Sequence, residues 1–220
     1  MYVIGPGELV VDIITRDAYL WQIGGLLVRH LYMEETHKQL LLKIVRDTVE
    51  AVIKGGKPLP RPQSNDPELG RQCGCFVTLK NHDRLRGCIG QFTADRPLME
   101  MVVEMAKASA TADPRFFSDR ITAAELPKLD IEISVLSPLK RTDDPLSLRI
   151  GVDGIYIKRG YASGCFLPQV AEETGWSKEE FLSICCSHKA GLPSEAWRDP
   201  KTEVYLFTAN IFGAAWNDIQ

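Results

Sequence analysis

No stretch of this chain is long and apolar enough to cross a bilayer. The longest apolar run near its start, Ile23 to Val28, is broken by Gly24 and Gly25, and falls far short of the ~20 residues a membrane helix needs. No basic segment leading to a small-residue cleavage site precedes it, so no signal peptide is expected and the chain is read as cytoplasmic. A basic surplus is also missing: 26 Lys and Arg against 29 Asp and Glu leave a net charge of −3. That disfavours general nucleic-acid binding, which needs cations to neutralise phosphates. Cysteine is too sparse for a disulfide scaffold. Cys73, Cys75, Cys88, Cys165, Cys185 and Cys186 are spread over 220 residues, and no pair has Cys-x₂-Cys spacing. The four histidines have no ligand spacing, so no metal site is predicted. Gly5-Pro6-Gly7 lacks a following helical pattern and Gly70 to Gly74 lacks a lysine, so neither reads as a phosphate loop. Repeats and low-complexity segments are absent, and no cofactor follows from the residues.

What is present is an ordinary globular composition, 45% hydrophobic and 25% charged. The length suits one domain with a sizeable core or two small subdomains sharing one. Residues 1–33 form a leader in which Val10 to Ile14 is strand-like. Thr36-x-x-Gln39 has the form of a capping box for a first helix that Gly55-Gly56 ends. Cys73 to Leu79, a turn at Asn81-His82-Asp83, and Leu85 to Ile89 predict a hairpin. A second helix runs from Asp95 and Pro97 to Asp113-Pro114-Arg115-Phe116, where the residue before proline resists helix. Asp130 to Leu136 alternates as a strand. Gly154 to Lys158 and Gly164 to Leu167 predict a second hairpin across Arg159-Gly160. Ser177-x-x-Glu180 caps a third helix ending at Gly191, and Thr202 to Phe212 reads as one last strand. Short turns between strands and single interspersed helices predict an α+β fold, mostly an antiparallel sheet with helices packed on it.

The segment richest in chemistry is Leu85-Arg86-Gly87-Cys88-Ile89-Gly90. Strand alternation puts Arg86 and Cys88 on one face and Leu85, Gly87 and Ile89 on the other. A guanidinium beside a thiol favours the thiolate. Gly87 and Gly90 bracket the cysteine and admit close approach of a ligand or another backbone, or a bulge. Such a group suits nucleophilic chemistry at Cys88 or anion recognition by Arg86. The plainer reading is a buried thiol, with Arg86 paired to a carboxylate such as Glu132, and glycines that serve packing.

This hexapeptide matches the signature of the AMMECR domain family, which the chain resembles from about residue 36 to 213. The likeness runs through Asp113-Pro114-Arg115-Phe116, Ile131 to Leu136, Gly154, Leu167-Pro168-Gln169-Val170-Ala171, Gly175-Trp176 and Lys189-Ala190-Gly191-Leu192-Pro193. The resemblance implies an extension over residues 1–33 and a family domain over 34–220. It further implies an α+β fold of two subdomains with a groove between them, and a site at Arg86, Gly87 and Cys88. Memo-like and radical-SAM proteins are the partners it implies.

Other candidates surround this segment. Glu132, on the polar side of an apolar strand, is either a base or orienting partner for Arg86, or a solvated, ion-paired carboxylate. Tyr161, Ser163 and Gln169 offer polar groups to a pocket, or play ordinary turn and cap roles. His188 follows Cys186 closely, but a Cys–His nucleophile pair would need Cys88 beside it. Two functional readings result. One is an enzyme or enzyme-system component acting on a small molecule or peptide, with Cys88 and Arg86 catalytic and Gly87 and Gly90 shaping the site. The other is a module that binds a peptide or partner protein in the same groove without turnover.

Overall fold

The computed structural model describes residues 33–56, 60, 64–92, 94 and 96–220. The strand reading of Val10 to Ile14 and the helix start at Asp95 lie outside the described residues. The first helix, α1 (Glu35–Ile53), turns Leu41, Val45 and Val49 inward. It starts one residue before Thr36, which therefore sits inside the first turn and not at the cap. A short helix, α2 (Pro67–Gly70), is capped by Asp66, whose side chain accepts from the N–H groups of Glu68 and Leu69.

The described strands form two four-stranded antiparallel sheets, so the fold is α+β as expected. In the first, β2 (Arg84–Gln91) is the edge, followed by β1 (Cys75–Asn81), β3 (Leu129–Leu136) and β8 (Ala209–Ala215). One face carries Cys75, Val77, Leu79, Ile131 and Ile133, all essentially buried. Helix α3 (Leu98–Thr111) packs on β1 and β2 with Leu98, Met101, Val102, Met105 and Ser109 facing in. The other face carries Phe76, Thr78, Cys88, Glu132 and Ser134.

The second sheet runs β4 (Lys140–Thr142), β7 (Glu203–Phe207), β5 (Gly154–Arg159), β6 (Ala162–Phe166). Its core face holds Ile155, Ile157, Phe166 and Val204. Phe181 and Leu182 of α5 (Lys178–Ile184) cover them, with Ala171 of α4 (Pro168–Thr174) and Trp197. The two sheets meet through rings: Phe92 lies 5.2 Å from Phe76 on one side, and 5.0 and 5.5 Å from Tyr156 and Phe207 on the other.

The last strand is not one strand but two. Its alternation continues through Thr208, but there the chain leaves the second sheet and enters the first. Ser137 stands at the matching crossing between β3 and β4. Thr208 N–H donates to Ser137 Oγ at 2.9 Å, and Ser137 N–H donates to the Thr208 carbonyl at 2.9 Å. The backbone groups freed by the sheet change are thus satisfied.

The third helix also differs from expectation. The capping box at Ser177 and Glu180 forms, but after Ile184 the chain widens into a π-turn over Cys185–Lys189. Ala190 N–H reaches back five residues to the Cys185 carbonyl at 3.0 Å. Helix α4 was not expected as a helix. Pro168 occupies its first turn and Gly175, at φ +68°, follows its last residue, a proline-start and glycine-stop arrangement that costs neither residue its preferred geometry.

Candidate functional site

The hexapeptide occupies the edge strand β2, and a bulge interrupts its pairing. Leu79 opposes Gly87 and Lys80 opposes Leu85, so Arg86 is the extra residue. Simple alternation then fails at that position. Arg86 joins Gly87 on the helix-covered face, where it lines a small pocket with Ser109, Thr111, Asp113, Phe116 and Phe117. Cys88 emerges on the opposite face. Arg86 and Cys88 therefore do not share a wall, contrary to the expectation from strand alternation.

Arg86 is 2% exposed, and each of its three guanidinium nitrogens donates to a carboxylate. Its Nε and Nη2 donate to the two Glu125 oxygens at 2.6 and 3.1 Å, and Nη1 donates to Asp119 Oδ2 at 2.9 Å. Asn81 Nδ2 donates to Glu125 at 3.0 Å. The hydrogen bond that Arg86 donates to Glu125 raises the Arg86 pKa. Burial works against ionisation of Glu125, but Arg86 and Asn81 outweigh it and hold that carboxyl below its usual range. The pair has the satisfied geometry that buried charge requires, and two carboxylates already meet the charge of the guanidinium. Glu132 is not its partner. Glu132 lies on the other face and accepts from Lys80 Nζ at 3.3 Å, so it does not orient Arg86.

The remaining residues of the segment are occupied too. A Cβ on Gly87 would run into the Ser109 carbonyl, and one on Gly90 into the Phe76 ring. Ser109 is 1% exposed and bridges the two strands. Its Oγ accepts from Ile89 N–H at 2.9 Å and donates to the Val77 carbonyl at 2.7 Å. On the outer side of the edge strand, Cys88 N–H donates to Asp113 Oδ2 at 2.9 Å, and Arg115 Nη2 donates to the Cys88 carbonyl at 3.2 Å. Asp113 is the N-cap of a 3-10 turn, Pro114–Phe116. Hydrogen bonding by Arg115, more than by Cys88 N–H, holds its carboxyl down to about 2 against a burial effect that opposes ionisation.

One group of the hexapeptide has no such structural duty. The Cys88 thiol is half-buried, accepts from Thr78 Oγ1 at 3.2 Å, and has the Arg115 guanidinium beside it. The cation next to the thiol is thus Arg115 from Asp113-Pro114-Arg115-Phe116, and not Arg86. Of the other cysteines, Cys73, Cys75, Cys185 and Cys186 are buried. Burial pushes the Cys75 thiol up to about 12. Cys165, half-buried on the second sheet opposite Tyr156, is pushed up to about 11 by burial, with a small further push from Cys88.

The peripheral candidates are not drawn together. Tyr161 stands fully exposed at the β5–β6 tip. Ser163 is exposed opposite Lys158, on the strand face that also carries Cys165. Gln169 lies in the first turn of α4, and its Oε1 is buried without a hydrogen-bond partner among the described residues. His188 is exposed on the π-turn.

Two antiparallel sheets bridged by an aromatic cluster, with an edge-strand thiol posed by a bulge and a capped turn, define an α+β protein built around one segment. The AMMECR1 family model matches residues 42–212, and the chain belongs to that family. It is 43% identical over 178 residues to a protein of Methanothermobacter thermautotrophicus, covering 78% of this chain and 91% of that one. It is 40% identical over 184 residues to protein PH0010 of Pyrococcus horikoshii, covering 79% and 88%. The crystal structure of the uncharacterized protein PH0010 superposes with a TM-score of 0.75 at 38% identity, covering 82% of this chain and 93% of that one. Among the described residues no helix is long and apolar enough to cross a membrane.

Proposed function

We propose that this protein is an enzyme, or a component of an enzyme system, that acts on a small molecule or peptide through the Cys88 thiol. The carrying observation is the division of labour within the hexapeptide. Arg86, Gly87, Ile89 and Gly90 are consumed in fixing the strand, and the Cys88 backbone is held on its outer side by Asp113 and Arg115. Only the Cys88 side chain is left open to chemistry, with a hydroxyl donor and a guanidinium at hand. A nucleophile held this rigidly has the preorganisation that thiol chemistry rewards. Gly87 and Gly90 act as spacers and not as ligand contacts. The substrate would lie on the face of the first sheet that carries Cys88. A Memo-like or radical-SAM protein is the partner class to test first, on the strength of the family resemblance alone.

The experiment compares wild type with Cys88→Ser. Each is incubated with fractionated metabolites and peptides from the native cell, and products and protein adducts are read by mass spectrometry. The reading predicts a product or adduct that wild type forms and the variant does not. A ligand bound equally by both proteins, unchanged in mass, would support the rival reading of a binding module.

A further inference from the structure

We propose that the molecule served by Cys88 carries an anionic group, a carboxylate or phosphate, and that this group docks on Arg115. The inference rests on the reading of Cys88 as the functional thiol and adds the substrate's charge class. The arginine fork offers five donors in a fixed plane. Nε and Nη2 of Arg115 hold Asp113, at 2.9 and 2.6 Å, and Nη2 also reaches the Cys88 carbonyl. Its Nη1 has no acceptor among the described residues, and the side chain is 53% exposed.

The pairing with Asp113 does not cancel this cation toward solvent. The Asp113 side chain is 2% exposed, and its oxygens are taken by Arg115 and by Cys88 N–H. The buried carboxylate therefore acts as a clamp, and the outward surface of the pair is the guanidinium. A clamped fork loses little freedom on meeting an anion, and bidentate geometry suits carboxylate and phosphate alike. Lys189, at the end of the π-turn packed beside β6, supplies a second positive charge, which acts on Cys165. Close packing of Gly164 against the Lys189 backbone holds that residue in place.

Two reagents of nearly equal shape test this: iodoacetate, which is anionic, and iodoacetamide, which is neutral. With either, the Cys88 sulfur displaces iodide from the methylene carbon. A C–S bond forms, the C–I bond breaks with its electron pair leaving as iodide, and the thiol proton goes to solvent. The readout is the ratio of the two alkylation rates at Cys88, set against the same ratio for a short unstructured cysteine peptide. An opposite charge within several ångströms in a water-like dielectric is worth roughly three-fold or more. The expected ratio at Cys88 exceeds the peptide's by that factor. It falls to the peptide's value in Arg115→Gln, and Arg115→Lys retains part of it. In wild type it also falls as salt is raised, while the iodoacetamide rate holds; this arm stands even where a variant does not fold. A wild-type ratio equal to the peptide's, with Cys88 still alkylated, overturns the anion inference alone. A Cys88 that neither reagent reaches overturns the thiol reading as well.

Discussion

At the scale of single residues, Arg86 and Arg115 exchange the roles their sequence positions suggest. Arg86 sits two residues from the cysteine, yet the bulge turns it under α3, where it meets Glu125 and Asp119. Arg115 is 27 residues away and touches the cysteine's own backbone. Removing Arg86 leaves Glu125 charged and 15% exposed without its main partner, a loss of about 3–5 kcal/mol. Arg159 pairs with Asp199 near the surface at 3.0 Å, where removal costs at most about 1 kcal/mol. Urea melts of Arg86→Ala and Arg159→Ala should differ accordingly, and equal small shifts would show Arg86 to be superficial.

Asp113 gives a pH test at the same scale. Its folded-state value of about 2 lies below its ordinary 3.8. The stabilisation it provides is thus fully present above pH 3.8 and is lost as pH falls toward 2. Asp113→Asn should be less stable than wild type at pH 6, with the gap narrowing steadily through this window. A gap that stays constant down to pH 2 would contradict the ionised clamp.

At the scale of elements, Ser109 works as a fastener inside a ladder. Its position on the buried face of α3 gives no sign that its hydroxyl bridges Ile89 N–H and the Val77 carbonyl. Ser109→Ala removes a partner from the Ile89 N–H and from the Val77 carbonyl, at about 1–3 kcal/mol in total. Hydrogen exchange at Ile89 should accelerate before that of β3. Uniform exchange across the sheet would contradict a local fastener.

The junction of α1 with α2 depends on His37, whose ring nitrogens lie 2.9 Å from Glu68 and 3.1 Å from Asp66. Burial lowers the His37 pKa, but hydrogen bonds and charge from Glu68 and Asp66 outweigh it and raise the group above 6.5. Its stabilisation is complete below pH 6.5 and disappears as pH rises through the raised folded-state value. His37→Gln should therefore lose most against wild type near pH 6 and least in alkaline solution. The opposite trend in paired thermal melts would reverse the sign of this contribution.

For the whole molecule, the α+β class and most elements were legible because strand alternation and helix caps are local signals. Ile131, Ile133 and Val135 alternate, and Ser177 and Glu180 cap, where expected. Three features had no local signal to place them. The bulge at Arg86 depends on the register against β1. The break at Thr208 depends on Ser137, 71 residues away. The π-turn at Cys185–Lys189 keeps apolar residues inward just as a continued α-helix would. The site was found through the hexapeptide, but its guanidinium came from a segment read as a helix stop and as part of the family likeness, not as part of the site.

These features converge on a single claim, that the fold spends the hexapeptide on holding one thiol open. The most direct test is site-resolved alkylation of the native protein with iodoacetamide, all six cysteines being followed in one digest by mass spectrometry. Cys88 should be modified first, with Cys165 behind it, and Cys73, Cys75, Cys185 and Cys186 should stay protected until the protein unfolds. A Cys88 modified no faster than those four buried thiols would contradict the account.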